Sequence, residues 1–210
     1  MPPTSATQAH SPATGVASAE ANNVAVIARQ AIVDAHRAVF GYELFDRSTT
    51  SHEHTAATDA ALLFNALSSA GSNAIGGRKM VFINCTHESL AGGHLALINP
   101  EKVVLEVPAL DPNATPDDIE YRLTALLGLN KRGVRIALDQ NTLRPAYAQW
   151  LAVAAFIKLD MTTFAPEQAK DLVKFARAYS RAQIVAEKVE TAEQHALMAD
   201  LDVKLFQGYW

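Results

Sequence analysis

Apolar residues along this chain gather into short runs, separated by longer stretches in which they recur every three or four positions. The runs are Val24–Val33, Val39–Phe45, Met80–Ile83, Val103–Leu105, Val134–Leu138, Ala155–Ile157, Ile184–Ala186 and Val203–Phe206. Their length predicts strands, and the later ones, β-branched and almost continuously apolar, suit a parallel sheet covered on both faces. The intervening pattern predicts helices at Thr55–Ser69, Pro116–Leu129, Pro166–Tyr179 and Thr191–Leu201. Thr115 is placed to cap the second, with Pro116 in its first turn and Asp117, Asp118 and Glu120 at its positive end. Thr191 and Gln194 fit a capping box on the last.

Only DAHRA separates the first two strands, which makes them a hairpin, because a parallel crossover needs about a dozen residues. The remaining strands alternate with crossovers. The expected architecture is therefore α/β, a TIM-like (β/α)8 barrel with an irregular hairpin start. An open doubly wound sheet is the alternative, but neither GxGxxG nor GxxxxGK(S/T) follows a strand. Residues 1–23 contain no aromatic, lysine or arginine and read as a disordered tail, leaving 24–210 for the barrel domain.

Composition narrows the partners. At 210 residues the chain suits one domain, and 18 basic against 22 acidic residues leave a formal charge of −4. That balance argues against a broad basic footprint for nucleic acid or an anionic membrane. The single cysteine, Cys85, excludes an internal disulfide framework and a cysteine-rich zinc site. No apolar run approaches the ~18 residues that span a bilayer, so a cytoplasmic protein without membrane or nucleic-acid partners is expected.

Chemistry enters where the apolar runs stop. Glu43 stands in the second strand, Asn84 ends MVFIN, Glu106 ends VVLE and Asp139 ends VRIALD. Lys158 ends AAFIK with Asp160 two residues on, Glu187 ends IVAE, and Gln207 ends VKLFQ. In a barrel these positions converge on one rim, where active sites sit. Carboxylates and an amide oxygen are hard ligands suited to Mg²⁺ or Mn²⁺, and like charges in one mouth need a cation among them. Such sites serve phosphoryl chemistry. Any one of these residues alone is simply a strand ending at the surface; the whole set is harder to dismiss that way. Lys158 as a Schiff-base lysine is opposed by its acidic neighbours, which favour the charged amine. His52-Glu53-His54, His87 and His94 read as loop residues, Cys85 as a small buried side chain, and Tyr147, Trp150 and Phe156 as core.

Together these residues resemble the EAL domain, the bacterial cyclic di-GMP phosphodiesterase fold, and within it the branch fused to HDOD domains. ARQAIVDAHRAVFGYELFDRS is similar to that branch's ARQPI…VxGYELLFRS opening, and VFIN, VVLEV, GVRIALD, IKLD, VAEKVET and FQGYW follow in the family's order, from about Val24 to Trp210. The resemblance implies signal transduction by hydrolysis of cyclic di-GMP to linear pGpG with Mg²⁺ or Mn²⁺. It implies Glu43, Asn84, Glu106 and Asp139 as metal ligands, and Lys158 and Glu187 as catalytic residues. Gln30, Arg47, Asp160 and Gln207 are implied to bind the nucleotide, Arg47 through a phosphate.

The departures from the family matter as much. Active members carry Asp-Asp-Phe-Gly where this chain has Asp139-Gln140-Asn141-Thr142, and Gln140 lacks the negative charge that helps hold a second metal. The loop that couples dimerisation to activity in the family reads QNTLRPAYAQWL, Ala31 replaces a proline, and Lys188 stands where most members have glycine. The resulting expectation is a degenerate EAL domain with one metal site and weak or absent turnover. The alternative is a nucleotide receptor or protein-interaction module without turnover. Trp210 follows the last strand directly, so the seam between first and last strands is expected to be covered by a protein partner, a second copy or further chain.

Overall fold

The computed structural model describes residues 27–46, 79–97 and 99–209. The predicted tail 1–23, the helix predicted at Thr55–Ser69, Arg47, the His52-Glu53-His54 triplet and Trp210 lie outside the described residues. Strands β1 (Ile27–Asp34), β2 (Val39–Asp46), β3 (Met80–Asn84), β4 (Val103–Val107), β5 (Arg135–Asp139), β6 (Phe156–Asp160), β7 (Gln183–Val189) and β8 (Leu205–Gly208) close into a barrel in chain order. The pairs from β2 through β8 are parallel, whereas β1 is antiparallel to both β2 and β8. This is the predicted α/β barrel with its hairpin start. The hairpin turns because the Asp34 carboxylate accepts from the amides of His36 at 2.8 Å and Ala38 at 2.9 Å. Closure across the seam rests on two register pairs, Val33 with Phe206 and Asp34 with Leu205.

Helices α1 (Pro116–Lys131), α2 (Ala148–Val153), α3 (Pro166–Tyr179) and α4 (Ala192–Asp200) pack outside. Thr115 and Asp118 form a reciprocal cap on α1, and Thr191 and Gln194 do the same on α4. The short α2 had no forecast: one and a half turns carry too little periodicity to announce a helix. It is held by tertiary packing, with Trp150 fully buried and its indole N–H donating to the Ile119 carbonyl at 3.0 Å.

The strands extend beyond their apolar runs. Glu106, Lys158, Glu187 and Gln207 lie inside the hydrogen-bonded ladder rather than after it. Alternation explains how a run can be apolar throughout and still aim a polar residue inward. Leu105, Ile136, Leu138, Ile157 and Ala186 face the helices, while Ile32, Phe82, Val104, Ala137, Phe156, Val185 and Leu205 form a separate plug inside the barrel. Its aromatic centre is Phe82 edge-on to Phe156, centroids 5.1 Å apart and ring planes inclined at 65°. Gly41 completes that layer without a side chain, since a Cβ there would lie 2.7 Å from the Met80 carbonyl oxygen.

Candidate functional site

Two residues along from the plug, the inward positions turn polar. Phe82 is followed by Asn84, Val104 by Glu106, Ala137 by Asp139, Phe156 by Lys158, Val185 by Glu187 and Leu205 by Gln207. On β1, which runs the other way, Gln30 precedes Ile32 by two and pairs in register with Glu43. Strand pairing sets the neighbours: Asn84 beside Glu106, Asp139 beside Lys158, and Asp160 beside Glu187. These side chains, Asp160 excepted, line a cavity of about 440 Å³ at the barrel mouth, within the usual size of ligand sites.

Lys158 is the hub. Its buried ammonium donates to Glu43 at 2.8 Å and Glu106 at 2.7 Å, and pairs with Glu187 at 2.8 Å. Two hydrogen bonds and one ion pair therefore enclose the ammonium. Burial acts to lower its pKa, but Glu106, Glu43 and Glu187 outweigh it and raise the pKa above the ordinary lysine value. The neutral amine that a Schiff base needs is thereby opposed, as expected from the acidic neighbours. Glu106 is pushed up to about 8, chiefly by burial, with Lys158 opposing and the charges of Glu43 and Glu187 adding to the rise. Glu43 also accepts from Asn84 Nδ2 at 3.2 Å and Gln207 Nε2 at 2.7 Å, and Gln207 Nε2 donates to Gln30 Oε1 at 3.1 Å.

Other members of the predicted set sit differently. The Asp139 carboxylate lines the cavity but accepts from the Asn141 backbone and side-chain amides at 3.0 and 3.1 Å, capping the turn at Gln140–Thr142. Asp160 lies beneath Lys188, which reaches it at 2.6 Å, and also accepts from Thr162 N and Oγ1 at 2.9 and 2.6 Å. Burial would raise the Asp160 pKa, yet these partners hold it below the ordinary carboxylate value. Gln140 is outside the large cavity: it donates to Thr163 Oγ1 at 3.1 Å and accepts from Asp160 N at 3.2 Å, beside a smaller cavity of about 270 Å³. Cys85 is buried with its thiol 3.6 Å from the Thr86 carbonyl, Tyr147, Trp150 and Phe156 are core, and His87 packs on Trp150 with centroids 5.9 Å apart.

Lys188, which stands in the sequence where most members have glycine and is placed to approach the site as a competing cation, lines the cavity where Asp160 does not. Its φ of +53° is the left-handed region, which costs a lysine about 1 kcal/mol. The pairing of β7 with β8 slips between Ala186 and Val189, and the resulting bulge re-aims the chain at Glu187 and Lys188. Gly208 permits the approach, because a Cβ there would stand 1.9 Å from the Val189 carbonyl oxygen.

The donor set suits a hard cation in one respect: Glu106 Oε1 is buried without a hydrogen-bond partner, an oxygen that a divalent ion could satisfy. In another respect Lys158 already supplies a positive charge, and among the described residues no three His, Cys, Asp or Glu side chains are arranged to hold a metal ion. No helix among the described residues is long and apolar enough to cross a membrane.

No family model matches the chain. Over 190 residues it is 30% identical to the cyclic di-GMP phosphodiesterase CdgJ of Vibrio cholerae, a stretch covering 88% of this chain and 43% of that protein. The chain thus spans less than half the length of this curated relative. Among solved structures, the EAL domain of Mycobacterium smegmatis DcpA superposes with a TM-score of 0.67 at 20% identity, over 87% of this chain and 89% of that one. Bacillus subtilis YkuI, a protein with an EAL domain in complex with cyclic di-GMP and calcium, gives 0.66 at 19% identity, over 86% and 52%. The Xanthomonas citri FimX EAL domain in complex with cyclic di-GMP gives 0.65 at 16% identity, over 87% and 85%. The fold is that of the EAL domains.

Proposed function

We propose that this EAL-type barrel, residues 24–210 of the chain, is a bacterial cytoplasmic signalling domain that binds cyclic di-GMP at its mouth and hydrolyses it weakly or not at all. The observation that carries the reading is the ring of Glu43, Glu106 and Glu187 drawn onto one ammonium, Lys158, above an apolar plug. A phosphodiester needs such a dry, preorganised mouth. The relationship to a cyclic di-GMP phosphodiesterase supports the choice of nucleotide.

Glu43, Asn84, Glu106 and Asp139 are the residues that would hold Mg²⁺ or Mn²⁺. A bound divalent ion supplies charge stabilisation and a more acidic water at neutral pH. The chain's own residues do the rest. Lys158 fixes the three glutamates and stays protonated. Glu187, the most open of the three with its side chain 18% exposed, accepts a proton from the attacking water. Water oxygen bonds to phosphorus, one P–O bond to a ribose 3′-oxygen breaks, that oxygen takes a proton, and linear pGpG results. Gln30 and Gln207 orient Glu43, and with Asp160 belong to the nucleotide's surroundings.

The receptor reading draws on Gln140, whose side chain is tied to Thr163 and the Asp160 amide and adds no charge to the mouth. A protein partner or second copy over the β1–β8 seam fits either reading. Purified protein incubated with cyclic di-GMP and Mg²⁺ or Mn²⁺, with nucleotides separated by chromatography, tests the proposal. Binding of the dinucleotide that Glu43→Ala removes is the expected result, and any pGpG should vanish with it. Unchanged affinity in Glu43→Ala would move the site elsewhere.

A further inference from the structure

We propose that Lys188 is the phosphate-binding cation of this cavity, presented by the β7 bulge and steadied by Asp160, so that one phosphodiester group of the ligand is recognised by a lysine rather than through a metal ion. The inference rests on the cyclic di-GMP reading and deepens it. Among the described residues lining the cavity, the cations are Lys158 and Lys188. Lys158 is the less available of the two: it is buried, its ammonium donates to Glu43 and Glu106, and Glu187 is ion-paired with it at 2.8 Å. Lys188 differs in every relevant respect. Its side chain is 60% exposed, it faces the same space, and its pairing with Asp160 uses one donor of three.

Asp160 anchors this ammonium through a single contact of 2.6 Å. Its side chain is 9% exposed and takes both Thr162 hydrogen bonds on Oδ1, leaving Oδ2 to Lys188, so the ammonium can keep this one contact while its other N–H groups meet an anion. A phosphodiester carries one negative charge on two oxygens, a match for the two remaining N–H groups. The backbone supports the assignment: a lysine held at φ +53° in a register slip, beside a glycine pressed onto Val189, is an arrangement that aims a side chain at the expense of local comfort.

The test is calorimetric titration of cyclic di-GMP in EDTA, where no divalent ion contributes, on wild type, Lys188→Gly and Lys188→Arg. Lys188→Gly should bind about tenfold more weakly or worse, and Lys188→Arg should stay within about threefold of wild type. Glycine suits the left-handed backbone and offsets part of the lost Asp160 pairing, and melting temperatures read beside the affinities separate lost binding from lost folding. Equal affinity in wild type and Lys188→Gly overturns the role of Lys188 and leaves the cyclic di-GMP reading standing. Absence of cyclic di-GMP binding in wild type both in EDTA and with Mg²⁺ or Mn²⁺ overturns that reading instead. The same proteins titrated with bis(p-nitrophenyl) phosphate then decide Lys188: binding lost only in Lys188→Gly sustains it, and no difference sinks it.

Discussion

The barrel interior holds two layers only two residues apart along each strand, and they obey opposite physics. The lower layer, with Phe82, Val104, Phe156 and Val185, is dry and stabilised by apolar burial. The upper layer, with Glu43, Glu106, Lys158 and Glu187, is nearly as enclosed but carries three carboxylates on one ammonium. Desolvating those charges opposes folding, and their mutual attraction only offsets it. The lower layer is therefore the foundation that keeps the upper one in place, and the upper layer costs stability that the lower one must offset.

The sharpest way to break this contrast is to remove the hub. Lys158→Met leaves Glu43, Glu106 and Glu187 buried together without a counter-charge, and should lower stability in guanidinium chloride denaturation by about 3–5 kcal/mol. Adding Glu43→Gln, Glu106→Gln and Glu187→Gln to the same protein should restore most of the loss, because no uncompensated charge remains. A quadruple variant as unstable as Lys158→Met would mean that packing, not charge, governs the upper layer.

In the lower layer the expectation is of the opposite kind. Phe156→Ala should cost about 3–5 kcal/mol by cavity formation, with no rescue from any charge change above it. Cyclic di-GMP affinity of the folded fraction should change little, which equilibrium binding well below the unfolding midpoint would reveal. A third variant addresses activity rather than stability. Gln140→Asp adds a carboxylate beside Asp139 and should raise phosphodiesterase turnover, by up to roughly 10²-fold if the missing charge accounts for about 3 kcal/mol of the barrier. No gain over wild type would count against the charge defect.

The smallest effect concerns acid. Asp160 is held below the ordinary carboxylate pKa, with burial opposing and Lys188 and Thr162 prevailing. A depressed folded pKa gives stability that is present above the unfolded value, about 3.9, and is lost as pH falls through the folded one. Wild type should lose this contribution only below about pH 4, and Asp160→Asn should show a flatter stability profile there in urea melts taken between pH 2 and 5. Parallel profiles would leave Asp160 without a part in acid stability.

Much of the architecture was legible because it depends on local pattern. Eight apolar runs, the five-residue DAHRA link and the caps at Thr115 and Thr191 name the strands, the antiparallel start and three of the helices. The polar residues at the strand ends named the rim, since a strand's direction and period of two are local properties. The sequence by itself thus determined the fold class and most of the described polar residues that line the mouth, with Asp160 staying out of the cavity lining and Lys188 joining it. Only the tertiary structure decided how they are used there. Which carboxylates share Lys158 depends on barrel closure, which brings β2, β4, β6 and β7 around one point. That Gln140 leaves the cavity for Thr163 and that Lys188 covers Asp160 are outcomes of competition among neighbours distant in the chain. Local propensity carries no record of such competition, because the energies that settle it arise only when distant segments exclude water together.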